Sequence, residues 1–180
     1  MAAQTNWKLD PAHSELLFKV KHLMITNVKG EFRSFDAQVV TNGSGFDGAK
    51  VSLTIDPASI FTNNADRDTH LRSADFFDTD THAEMTFEST EMKKQDEDTY
   101  LVRGLLTMKG VSKEVEFEAE LGGVTKDPYG NEKAGFSLSG KLNRTDWGLN
   151  WNAALETGGV LVSEEVRLMA EVQLVREQQD

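Results

Sequence analysis

The sequence predicts an all-β protein, an antiparallel closed barrel of about eight strands with one short helix at an opening. Three observations carry this reading. Apolar and polar residues alternate with period two along most of the 180 residues, turn-forming clusters separate the alternating runs, and a single segment has the charge order of a helix. Period-two alternation puts one row of side chains against a core and the other in water. Short strands joined by polar turns favour closure over crossover units.

The first long strand carries Leu16, Phe18, Val20 and His22 on one face and Glu15, Lys19 and Lys21 on the other, with Leu17 an apolar exception on the wet side. Val28, Gly30 and Phe32 open the next strand on one parity, and Phe35, Ala37 and Val39 continue it on the other. That switch predicts a β-bulge near Ser34, which would tighten the curvature. Val51, Leu53 and Ile55 form a third strand, and Met85, Phe87 and Ser89 a fourth. Tyr100 to Met108, Val115 to Leu121, Phe136 to Leu142 and Val166 to Leu174 supply the rest. Turns are expected at Asn42-Gly43-Ser44-Gly45, Gln95 to Thr99, Gly122-Gly123 and Asp127 to Asn131. Asn63 to Ser73 reads as the helix, with an asparagine cap, acids in the first turn and Arg72 near the end. The chain reads as one domain over residues 1–180, with Met1 to Thr5 and Glu177 to Asp180 as loose ends.

Nineteen Lys and Arg against 30 Asp and Glu give a net charge of −11, which repels phosphate backbones and argues against nucleic acid as a partner. The same charge repels anionic membrane surfaces and argues against stable membrane insertion, while leaving room for a carrier that touches lipid briefly. The absence of Cys excludes disulfides, thiolate nucleophiles and Cys-based zinc sites. The opening Met-Ala-Ala-Gln-Thr-Asn has neither a basic region nor an apolar run, so the sequence as given reads as cytoplasmic, or as periplasmic or secreted if a leader has been removed.

Motifs that suggest chemistry have plainer readings. Gly43 to Gly48 matches G-x-G-x-x-G, but Lys50 to Ile55 after it reads as a strand, whereas a dinucleotide site needs a helix there. Among the four histidines, His13, His22, His70 and His82, no pair has helical i, i+4 or strand H-x-H spacing, so no metal is expected. Asp78 to Ala83 begins like a calcium loop but has His82 at the third ligand position, lacks the turn glycine, and ends on Ser89 where the bidentate glutamate belongs. Asp10, His13 and Ser14 are the ingredients of a hydrolase relay, without a nucleophile elbow; Asp10-Pro11 reads as a turn. The sequons at Asn42 and Asn143 are expected by chance. No cofactor is expected.

An eight-stranded barrel is wide enough either to be filled by side chains or to hold one small ligand, as lipocalins do. Small inward residues, Gly30, Ala37, Gly104, Gly140 and Ala170, are expected to leave volume unfilled. An apolar cavity is then the default binding site.

Four stretches carry a family resemblance. They are Trp7-Lys8-Leu9-Asp10-Pro11-Ala12-His13-Ser14 running through Phe18 to His22 and Val28 to Phe32, Arg67 to Asp78, Gly104 to Val115, and Leu142-Asn143-Arg144-Thr145-Asp146-Trp147-Gly148-Leu149. Together with Val162 to Val166 they resemble the YceI-like family, polyisoprenoid-binding relatives of lipocalins. One departure is visible, His82-Ala83 where the family often has Tyr-Pro. The resemblance implies a lipocalin-like elongated barrel with a long hydrophobic channel, an isoprenoid chain or other amphiphile as ligand, no enzymatic activity, frequent dimerisation, and a commonly secreted or periplasmic location.

The expected function is therefore binding, storage or transport of a long-chain amphiphile: a polyisoprenoid, an isoprenoid quinone or a fatty-acid derivative. The expected channel is lined by Phe18, Val20, His22, Val28, Phe32, Leu71, Phe76, Phe77, Met85 and Trp151, with the helix and Phe76-Phe77 as a lid. His22, Arg72, Asn150 and Asn152 are candidates for head-group contact. Two alternatives stand beside this: a small hydrolase at the barrel mouth using Asp10, His13 or Arg144, and a structural or interaction module whose interior is full.

Overall fold

The computed structural model describes residues 4–43, 45–153, 155 and 161–178. Its elements are β1 (Gln4–Leu9), β2 (Glu15–His22), β3 (Thr26–Phe32), β4 (Phe35–Asn42), β5 (Lys50–Ile55), β6 (Ile60–Phe61), α1 (Ala65–Arg72), β7 (Met85–Lys94), β8 (Thr99–Met108), β9 (Val111–Lys126), β10 (Glu132–Asn143) and β11 (Glu165–Arg176). All pairings between these strands are antiparallel. The order β1-β4-β5-β7-β8-β9-β10-β11 closes through β1–β11 into the expected eight-stranded barrel.

The first three staves of this barrel are each broken in two. β1 and β2 share the flank of β11, through Leu9↔Leu174 and Leu16↔Ala170. β3 pairs with β6 and β4 with β5. The breaks have a common cause in two of the three staves: Asp10-Pro11 and Asp56-Pro57 start 3₁₀ turns, and each aspartate accepts from the amide two residues on, Ala12 N at 3.2 Å and Ala58 N at 3.0 Å. Proline removes a ladder donor, and the Asx cap satisfies the turn instead. In the third stave the parity switch foreseen near Ser34 is a break at Arg33-Ser34, held by Ser34 N on Ser59 Oγ at 3.0 Å and Asp56 N on Ser34 O at 2.9 Å. Leu17, the apolar exception, sits opposite Met169.

Three expectations are corrected. Gln4 and Thr5 are not a loose end but the start of β1, paired with Asn42 and Thr41, and Glu177 N is held by Asn6 O at 2.8 Å; Met1 to Ala3, Gln179 and Asp180 lie outside the described residues. Gly122-Gly123 is not a turn: β9 runs through it, and Gly122 is the extra residue of a bulge between Leu121↔Phe136 and Gly123↔Gly135. The glycines do not leave empty volume either. A Cβ on Gly30, Gly104 or Gly140 would fall on the rings of Phe18, Phe87 and Phe117 respectively, so each glycine is the seat of an aromatic ring.

One end of the barrel is closed. The glycine-rich loop after β4, read as a hairpin loop (Ser44 outside the described residues), drives buried Phe46 inward against Trp7 at 5.3 Å and Phe136 at 4.9 Å between ring centroids. No helix among the described residues is long and apolar enough to cross a membrane.

Candidate functional site

Among the described residues, two adjoining cavities open in the interior. The smaller, about 170 Å³, lies towards the Phe46 end and is walled by apolar side chains such as Leu53, Phe87, Val102 and Leu174, with no polar atom exposed to it among the described residues. The larger, about 480 Å³, opens under α1, within the size range of small-molecule sites. Phe32, Met108, Leu142 and Leu168 line both, and so mark where the two meet.

Phe18, Val20, His22, Val28, Phe32, Leu71, Phe76, Phe77 and Trp151 all line the larger cavity. Met85, the first residue of β7, lines the smaller cavity that adjoins it. The rings fall into two contacting groups. Phe32 lies 5.5 Å from Phe18 and 5.8 Å from Phe77, while Trp151 lies 5.4 Å from Phe76 and 4.7 Å from the His70 ring.

Polar liners of the larger cavity are confined to its mouth: Thr62, Asn64, Asp66, Arg67 and His70 on α1 and the segment entering it, His22 at the end of β2, and Arg144 after β10. The α1 sequence, Ala-Asp-Arg-Asp-Thr-His-Leu-Arg, is polar on nearly every side, and at eight residues it is too short to be stable alone. It is pinned instead by polar contacts. Asn64 caps Arg67 N at 3.0 Å, buried Asp68 accepts from Thr62 N at 2.9 Å and Thr62 Oγ1 at 2.5 Å, and Arg67 donates to Thr62 Oγ1 at 2.8 Å. Leu71 is its apolar residue facing the cavity.

Arg144, weighed above as a catalytic group, is buried and committed to backbone. Its guanidinium donates to the carbonyls of Leu149 at 2.6 Å, Ser163 and Trp151 at 2.9 Å, and Val162 at 3.3 Å. Burial lowers its pKa, with Glu164 opposing, yet its value as a five-donor fork is to hold the two sides of the loop after β10 together. Asn152 does the same work from the loop, donating to Val162 O at 2.7 Å and accepting from Val162 N at 3.1 Å, so it is not free for a head group. Arg72 donates to Thr69 Oγ1 at 3.3 Å and Asn150 is exposed; neither lines the cavity.

The hydrolase ingredients do not form a relay. Ser14 Oγ donates to the Asp10 carbonyl at 2.7 Å and accepts from Gln173 N at 3.0 Å, so it is engaged with backbone rather than with His13. His13 Nδ1 and Lys133 Nζ both meet the Asp10 carboxylate, at 2.8 and 2.6 Å, and the Lys133 hydrogen bond holds Asp10 below the ordinary aspartate range. His70 pairs with Asp75 at 2.8 Å, and among the described residues no three His, Asp or Glu side chains converge as a metal site. Asp47, in the loop that mimics a nucleotide motif, caps Lys94 N at 2.8 Å.

Phe46 and the Arg144 clamp were not foreseen. The first hides in a glycine-rich loop, and the second is set by carbonyls that converge only in three dimensions.

A closed antiparallel barrel with an apolar hollow, one plugged end and a helix over the other defines a lipocalin-like hollow barrel. The chain belongs to the YceI-like family, whose domain matches residues 7–174. UPF0312 protein SERP2314 of Staphylococcus epidermidis is 43% identical over 167 residues, covering 92% of this chain and 95% of its own. The YCEI protein of Campylobacter jejuni superposes with a TM-score of 0.74 at 36% identity, over 89% of this chain and 91% of that one. A polyisoprenoid binding domain from Saccharophagus degradans, implicated in plant cell wall breakdown, shares the fold with a TM-score of 0.69 at 16% identity, over 95% and 98%.

Proposed function

We propose that this protein binds and carries a long-chain amphiphile of polyisoprenoid, isoprenoid-quinone or fatty-acyl class, with the tail in the barrel and the polar end at the α1 mouth. The observation that carries this reading is the division of the cavity lining: apolar throughout the depth, polar only at the rim. Such a gradient matches a molecule with one polar end. Transfer of each CH₂ from water is worth ~0.8 kcal/mol, so a tail of about a dozen carbons supplies on the order of ten kcal/mol before entropic costs. The rim then orients the ligand rather than holding it. The polyisoprenoid binding domain that shares this fold is consistent with a lipid-sized occupant, while the ligand class itself rests on the lining. The reading involves no catalysis, in keeping with Ser14 and Arg144 being bonded to backbone.

Organic extraction of the purified protein followed by mass spectrometry tests this. The expected result is a co-purified amphiphile, or stoichiometric uptake of prenyl or fatty-acyl probes, that a Leu71→Trp/Val28→Trp variant loses while keeping its fold. A clean extract with no uptake by the natural chain contradicts it. Ester hydrolysis lost in a His13→Ala variant would favour the enzyme instead.

A further inference from the structure

The β2–β3 hairpin ends in Leu23, Met24 and Ile25, which are 39%, 51% and 78% exposed. These are consecutive, and they continue directly from Val20, His22 and Val28, which line the larger cavity. The turn that carries them is costly in two ways. Leu23 and Met24 have φ of 55° and 62°, and Ile25 N bonds His22 O at 3.2 Å, the geometry of a type I′ turn. That turn is most easily made by Asn-Gly, and bulky side chains strain it. Exposing three apolar side chains to water adds a second penalty.

The outer face behind this tip has an uncommon charge arrangement. Lys29, Lys19, Arg167 and Lys141 are direct cross-strand partners in register on β3, β2, β11 and β10. Like charges directly opposite repel, and among the described residues the acid that touches the row is Glu165, 3.9 Å from Lys141 and 3.7 Å from Arg167. From Lys19 to Lys29 there is no acidic residue, in a chain with a net charge of −11. Glu31, two residues from Lys29 on the same face of β3, is paired with Arg33 at 2.8 Å, and acidic groups beyond a Debye length of about 8 Å are screened from whatever this row meets.

We propose that the Leu23-Met24-Ile25 tip and the Lys29-Lys19-Arg167-Lys141 row form a docking face for an anionic lipid bilayer, seating the cavity mouth on the membrane. The tip enters the interfacial layer and the cations meet phosphate head groups, the pairing by which peripheral proteins bind reversibly. The site deepens the carrier reading by naming where its ligand is collected, yet vesicle binding is measurable whether or not a ligand is carried.

The test is co-sedimentation of the full chain with phosphatidylcholine vesicles, with and without phosphatidylglycerol, at low and high salt. Binding is expected on the anionic vesicles and is expected to fall with salt. Leu23→Asn/Met24→Gly relieves the turn, and Lys19→Gln/Lys29→Gln relieves the repulsion, so neither variant is expected to lower Tm. Both are expected to lose vesicle binding, by about fivefold for each lysine removed. The tip variant is also expected to keep uptake of a fatty-acyl probe from solution while exchanging it more slowly with vesicles. No binding by the natural chain, equal binding to neutral vesicles, or binding unchanged in the tip variant overturns the proposal. Loss in the lysine variant alone overturns it in favour of a soluble polyanion. Probe uptake without vesicle binding sinks the docking face and spares the carrier; vesicle binding without uptake does the reverse.

Discussion

Arg144 shows how one residue can maintain an opening without touching the chemistry of what passes through it. Its guanidinium satisfies carbonyls from Leu149, Trp151, Val162 and Ser163, which lie on both sides of the loop edging the cavity. Arg144→Met leaves those acceptors without their donor, and Arg144→Lys replaces a planar fork with a point charge. Either variant is expected to lose about 3 kcal/mol or more in denaturant unfolding, with weakened probe uptake because Trp151 loses its anchor. Asp10 works through charge instead. Its carboxylate meets Lys133 and His13, which favours the ionised form and lowers its pKa in the folded state. A carboxylate with a depressed folded pKa stabilises above its unfolded value and loses that contribution as pH falls through the folded one. Asp10→Asn is therefore expected to be less stable than the natural chain at neutral pH, and the gap should close as pH drops below 3.8, the ordinary aspartate value. Melting temperatures of both proteins across that range check the sign.

Among the elements, the strands divide into those that pair along their whole length, β7 to β11, and those broken to curve the barrel. Curvature in the first group comes from bulges, one of them at Thr90, where β7 steps from Ser89↔Gly104 to Glu91↔Arg103. Gly104 faces that step so closely that a Cβ would collide with the Glu88 carbonyl, the Ser89 Cα and the Phe87 ring. Backbone cannot yield as a side chain would. Gly104→Ala should lower the urea midpoint with an unchanged slope, at a cost of about 1–3 kcal/mol. Alternation and helix capping were legible in the sequence because they are local: Asn64 and the acids of α1 announce the helix, and inward parity is correct from Phe18 to Leu174. β1 escaped because Gln4-Thr5-Asn6 reads as polar until Trp7 and Leu9, and its pairing with both β4 and β11 is decided by distant chain. The role of the glycines escaped for a related reason. Whether a small residue leaves a void or seats a ring depends on where the register places Phe18, Phe87 and Phe117.

At the scale of the whole molecule, the barrel is a vessel with a plugged base and a polar rim. Phe46, Trp7 and Phe136 close the base; α1, the β2–β3 hairpin and the Arg144 loop form the rim. Nine of the ten residues picked for the channel from sequence do line the larger cavity, since inward parity near the helix end was enough to select them. Met85 also faces the interior, in the wall of the adjoining smaller cavity. The base was not foreseen at all, since nothing in a glycine-rich loop says that its one aromatic turns inward. A vessel of this kind makes a quantitative demand on its ligands. Binding energy should grow with tail length while there is wall left to cover, and stop growing when the interior is full. Calorimetric titration of delipidated protein with a homologous series of fatty-acyl or prenyl chains measures this directly. The account predicts affinity rising by up to about fourfold per added CH₂ and then levelling, with Leu71→Trp levelling at a shorter chain. Affinity that ignores chain length, or no binding at any length, would contradict it.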